Sequence, residues 1–204
     1  MRLFLPCVIA ACLAFPVHSL AADPGFYKVT GVVAGDVLNI RPEPGPGGEP
    51  LAGLQPGASP VEVLEVRDVN GAQWGRVLAG DGNGWVSMKF LAPAEIPMFE
   101  GTEIPDGLSC GGTEPFWGAS FTNSAGLRFS DIDGKDTALP VSRAMNATGR
   151  MHRFAVKADD GKTFATAMLG RYESCTDGMI DRDFGWRIDL LMEKEGDPDF
   201  PQLF

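Results

Sequence analysis

The residues with chemistry to offer are Cys110 and Cys175, His152, Glu114, and the trio Asp177, Asp181 and Asp183. A cysteine nucleophile needs a base in reach. His152 sits between Arg150 and Arg153 in what reads as the middle of a strand, with no nucleophile in its sequence context. Structural zinc takes four ligands, usually in close pairs, and two distant cysteines with one histidine do not supply them. The run Asp131-Ile-Asp-Gly-Lys-Asp136 begins like a calcium loop, but its glycine comes too early and no glutamate closes it. Gly111-Gly112 is no phosphate cradle, since no lysine follows at the needed place. Glu114, ahead of Pro115-Phe116-Trp117, reads as a buried acid with a raised pKa, yet one carboxylate without a placed partner makes no acid–base pair. The Asp177–Asp183 acids either hold a cation or pair with Arg182 and Arg187, and mixed-sign loops favour pairing. The expectation is therefore a chain with no catalytic residues, no metal and no cofactor. Its candidate ligand contacts are aromatic and acidic: Trp74, Trp85, Glu114, Phe116, Trp117, Asp177 and Asp181.

The start of the chain sets the compartment. Met1-Arg2 is a short basic opening, Leu3 to Val17 is apolar apart from prolines, and Ser19-Leu20-Ala21 is a small-x-small cleavage site. This is a secretory signal peptide over 1–21, too short for a membrane span. A minor alternative is a lipoprotein box at Ile9-Ala10-Ala11-Cys12, which would leave an anchor on Cys12. Nothing after Ala21 is long and apolar enough to span a bilayer. Cleavage leaves Cys110 and Cys175, an even pair in an oxidising compartment, which reads first as one disulfide. The formal net charge is −10. The acidity is concentrated after Ala94, where the chain carries a net −8 against −3 for residues 22–94. Such a balance argues against nucleic acid and anionic lipid and leaves room for a basic protein partner.

The elements that must position these residues are strands. Val61-Glu-Val-Leu-Glu-Val66 mostly alternates apolar and acidic; Gln73 to Leu78 and Gly84 to Met88 are further strands. Asn70-Gly71 marks a tight hairpin, because it accepts positive φ, and Asp81 to Gly84 marks another turn. Pro42 to Pro50 cannot extend a strand, since proline lacks the ladder donor. Ala94 to Gly107, with its prolines and acids, suits a semi-extended connector, with packing of Pro97-Met98-Phe99 against either domain as the alternative. Beyond it, strands are expected at 116–121, 127–129, 137–141, 151–158, 163–169 and 186–192, with a hairpin at Asp160-Gly161. The predicted fold is all-β. A small barrel spans 25–93, a linker 94–107, and a disulfide-linked antiparallel meander or barrel 108–204.

The ordered pieces "GDVLNIRPEPG", "PLAGLQPGASPVEVLEV" and "WGRVLAGDGNGWVSMKFL" resemble the bacterial SH3-like family across Tyr27 to Leu91. The resemblance implies a five- to seven-stranded SH3-like barrel, used outside the cytoplasm to dock on cell-wall peptide, with Pro42 to Pro50 as a rim loop. "Cys110-Gly-Gly-Thr-Glu-Pro-Phe-Trp117" and "Cys175-Thr-Asp-Gly-Met-Ile-Asp-Arg182" resemble an uncharacterised family of bacterial envelope proteins, which lends no activity. Together these imply a non-catalytic periplasmic or secreted adaptor that binds peptidoglycan or an envelope protein. The alternatives are an inhibitor of a basic, lysozyme-like envelope hydrolase through the acidic C-terminal domain, and a wall hydrolase. The hydrolase is disfavoured because no catalytic constellation is present.

Overall fold

The computed structural model describes residues 22–204, without the side chains of Glu173 and Ser174. The expected signal over 1–21, with Cys12, lies outside the described residues. The chain forms two β units, with one short 3₁₀ turn at Met88–Phe90.

The first unit holds β1 (Gly25–Val29), β2 (Leu38–Ile40), β3 (Ala52–Leu54), β4 (Val61–Val63), β5 (Glu65–Val69), β6 (Ala72–Ala79), β7 (Gly82–Ser87) and β8 (Leu91–Pro93). They ladder as β4-β1-β8, β2-β3 and β5-β6-β7, all antiparallel, and an Arg41–Trp85 bridge ties the end of β2 to β7. Alternation works as period two requires: Val61 and Val63 enter a core with Tyr27, Val29, Leu38, Ile40, Val77, Val86 and Met88, while Glu62 faces the other way. The Asn70-Gly71 turn has φ of 55° and 79°, the left-handed pair of a type I′ hairpin, and joins Val69 to Ala72 in register. The next turn falls earlier than expected, at Gly80-Asp81, so β7 already starts at Gly82.

The rim loop after β2 is held rather than loose. The Arg41 guanidinium donates to the carbonyls of Gly47 at 3.3 Å and Gly48 at 2.6 Å. Proline stiffness and this side chain together fix a segment that has no ladder of its own.

The connector is not the semi-extended strap that its composition suggests. Phe99 and Ile104 are fully buried in the core of the second unit, and Phe99 N–H donates to the Ile104 carbonyl at 2.8 Å. The Thr102 hydroxyl donates to the Phe99 carbonyl at 2.7 Å and closes the turn. Burial of Phe99 and Ile104, two of the apolar side chains of this linker, draws it into the core.

The second unit contains β9 (Leu108–Thr113), β10 (Phe116–Thr122), β11 (Gly126–Asp131), β12 (Asp136–Leu139), β13 (Val141–Asn146), β14 (Arg153–Asp159), β15 (Thr163–Cys175), β16 (Phe184–Lys194) and β17 (Gln202–Leu203). Two antiparallel meanders result, β9 to β12 and β13 to β17, and their inner faces share one core. Phe121, Leu127, Phe129 and Leu139 meet Phe154, Val156, Leu169, Leu190 and Met192 there. The Asp159–Phe164 hairpin forms as expected, with the Asp160 carboxylate accepting the N–H groups of Lys162 and Thr163 at 2.9 and 2.7 Å. Those two backbone bonds also hold its pKa below the ordinary aspartate value. His152 is not mid-strand. It is an exposed turn residue with φ of 57°, just before β14.

Candidate functional site

The two units are docked through the segment that opens β16. Asp183 is the pivot: its carboxylate pairs with Arg76 of β6, its N–H donates to Asn83 Oδ1 at 2.7 Å, and its carbonyl accepts from Asn83 Nδ2 at 3.2 Å. Arg182 approaches Asp81 at 4.0 Å, and the Arg171 guanidinium lies 5.4 Å from the centre of the Phe26 ring. The acids were expected to pair with Arg182 and Arg187. Instead the pairing crosses between units, and Arg187 turns to Asp189 at 3.6 Å.

Beside this clamp the units part around a cavity of about 560 Å³. The first unit contributes Glu62 and Leu78. The second contributes Leu108 to Gly111, Trp117, Cys175 to Asp177, and Phe184 to Ile188. Two glycines let its walls form. A Cβ at Gly185 would lie 2.5 Å from Glu62 Oε1 and 3.0 Å from Leu64, so only glycine lets this carboxylate reach the start of β16. A Cβ at Gly112 would fall on the indole nitrogen of Trp117, so the bare strand lets the ring lie across β9. Trp117 is braced from behind by Phe129 and Phe204, at centroid distances of 6.2 and 5.5 Å.

Glu62 is half-buried, and the indole N–H of Trp186 donates to its Oε1 at 3.2 Å. Burial raises its pKa, tempered by Arg171 and by that hydrogen bond. Cys110 and Cys175 both line the cavity, where each is a free thiol rather than half of the expected bond. Burial first, then Cys175 and Glu62, push the Cys110 thiol up to about 12. The Cys175 thiol is also raised, mainly by burial, against the pull of Arg187. At neutral pH both are protonated, the reverse of an activated nucleophile.

Of the sequence candidates, the cavity gathers Trp117 and Asp177 with the two cysteines. Trp74 and Trp85 are buried at 8% and 6% exposure in the first unit, and the Arg67 guanidinium covers Trp85 at 4.5 Å. Glu114 is not buried: it sits exposed in the two-residue turn between β9 and β10, and Phe116 beside it is 53% exposed. Asp181 is exposed beyond the clamp. Asp131 spends Oδ1 on the N–H groups of Asp133 and Lys135 at 3.1 and 3.0 Å, and Asp136 pairs with Arg128.

Residues 36–92 match the family model of the bacterial SH3 domain. The match begins before β2 and ends within β8. β1 lies outside it but pairs with both β4 and β8, so it completes the same SH3 unit. No curated protein and no solved structure was found to match the chain. The SH3 unit thereby supplies the cavity residue that sequence reasoning missed. Glu62 reads as the solvent face of an alternating strand, and only the docking of β16 turns that face inward. The second omission, Trp186, had a local signal in Phe184-Gly185-Trp186, two aromatics flanking a glycine at the head of a strand.

Proposed function

We propose that this protein is a non-catalytic binding protein of the bacterial cell envelope, whose SH3 unit docks on peptidoglycan peptide or on an envelope protein. The match of residues 36–92 to the bacterial SH3 domain carries the reading. The face of the SH3 unit formed by Glu62, Arg76 and Asn83 is taken by the second unit. The docking surface is therefore assigned to the Arg41-braced loop, which stands exposed. The placement of His152 in an exposed turn, outside the cavity that holds both cysteines, supports a binding role over a wall hydrolase. Export by the sequence at 1–21 would place the protein in the periplasm or outside the cell, where Cys110 and Cys175 would close into a disulfide. The inhibitor reading is weaker: Asp183 is engaged by Arg76, and Asp177 caps the N–H groups of Met179 and Ile180.

Co-sedimentation with purified peptidoglycan tests the reading. The protein is expected to pellet saturably with peptidoglycan and not with cellulose. Arg41→Ala, which releases the rim loop, should weaken the retention several-fold while leaving the unfolding temperature close to that of the parent. Retention that is absent, or equal on both polymers, would remove the docking role.

A further inference from the structure

A carboxylate drawn partly out of water at an interface usually gains a cationic partner, because losing hydration without a counter-charge is costly. Glu62 departs from that rule. Among the described residues no cation lies within ion-pair distance of it. Its one hydrogen bond is the neutral indole N–H of Trp186, on Oε1. Arg171, the cation that tempers it from further off, is stacked on Phe26. The unmatched oxygen belongs to a residue that lines the cavity, with Trp117, Trp186 and Phe184 also in its walls and Asp177 contributing a second carboxylate without an ion pair. Arg187, the one cation in the lining, is drawn off toward Asp189.

We infer that the cavity between the two units binds a primary ammonium group carried on an aliphatic stem, with Glu62 as the counter-charge. The chemistry of the walls selects this class. An ammonium supplies the charge that Glu62 lacks and three N–H donors for its open oxygen. Indole faces attract a cation within about 6 Å of the ring centroid, most strongly where water is excluded. The apolar side chains of Leu78, Leu108 and Ile188 suit the methylene stem. An anionic ligand would face two carboxylates, and a purely apolar one would cover Glu62 without matching its charge. The inference is independent of what the rim loop docks on.

Calorimetric titration of the purified protein with 1,5-diaminopentane, N-acetyl-lysine methylamide and 1-pentanol tests it. At least one of the two amines should bind saturably, at least tenfold more tightly than the alcohol. The tighter of the two amines identifies the source, a free diamine or a lysine side chain of a peptide. Glu62→Gln keeps an acceptor for the Trp186 indole and should lose tenfold or more in amine affinity; Asp177→Asn should lose less. Equal binding of amine and alcohol would overturn the inference. So would no saturable amine binding, or unchanged affinity in a Glu62→Gln protein that unfolds at the parental temperature.

Discussion

Two of the carboxylates that reach between the units, Asp183 and Glu62, sit in opposite circumstances. Asp183 reaches from the second unit into the SH3 unit and is met by Arg76 and by both polar ends of Asn83. Glu62 reaches the other way and is met by a single neutral donor. The first arrangement is that of a fastening: the charge is matched, and backbone and side chain of Asp183 are both held. The second carries a solvation cost with no matching cation, beside an open volume. The contrast teaches that one interface holds two different regions, a closed clamp and the wall of a cavity a few residues away along the chain.

The largest expected effect falls on the cavity side. Joining Cys110 to Cys175 closes a long loop and is expected to stabilise the protein by about 2–5 kcal/mol, measured as the shift in denaturant midpoint between oxidised and reduced protein. Thiol labelling without reductant should find both cysteines blocked after export; two labelled thiols would count against the bond. A smaller effect is expected at the seam between clamp and cavity. Gly185→Ala drives a methyl group into Glu62 and Leu64 and should cost about 1–3 kcal/mol in chemical unfolding. It should cost less when Glu62 is also shortened to alanine, since the obstacle is that side chain. The smallest is at the outer edge of the clamp. The Arg182–Asp81 contact is long, and the Asp81 side chain is fully exposed, so Asp81→Ala should leave the unfolding midpoint unchanged within error.

How far the sequence foretold this contrast depends on which forces are local. Turn chemistry is local, so Asn70-Gly71 and Asp160-Gly161 mark their hairpins correctly, and the all-β class follows from such punctuation. β13 is invisible because Val-Ser-Arg-Ala-Met-Asn has no clean alternation, as befits an edge strand with mostly exposed side chains. β9 is hidden by its glycines, whose purpose emerges only when Trp117 lies across Gly112. β15 runs past Leu169 to Cys175 through Gly-Arg-Tyr-Glu-Ser, a polar stretch held by pairing with the start of β16 rather than by burial pattern. The site divides in the same way. Trp117, Asp177 and the cysteines stand out by residue type, whereas Glu62 and Trp186 become site residues only through the packing of one unit on the other. The long-range Arg76–Asp183 pair has no sequence signature at all, and the nearer Arg182 and Arg187 were the natural wrong partners.

The contrast between the two acids is tested most directly by thermal unfolding of Asp183→Asn and Glu62→Gln, side by side, from neutral pH down through the carboxylate range. Asp183→Asn removes one of the two carboxylates on a mostly buried Arg76, which keeps Glu65 at 3.2 Å, together with the link between the units, and should lower the unfolding temperature at neutral pH. Glu62 has a raised folded pKa, so its folded form holds the proton more tightly than the unfolded chain does. The parent should therefore lose stability from this group as pH rises from the ordinary glutamate value through the raised one. Arg171 and the Trp186 N–H reduce that loss, and Cys110 beside Glu62 carries no charge across the range, as a thiol or in a disulfide. Glu62→Gln removes the loss, so it should match or exceed the parent at neutral pH, and any advantage should shrink on acidification. A fall in unfolding temperature for both variants at neutral pH, of similar size, would contradict the account.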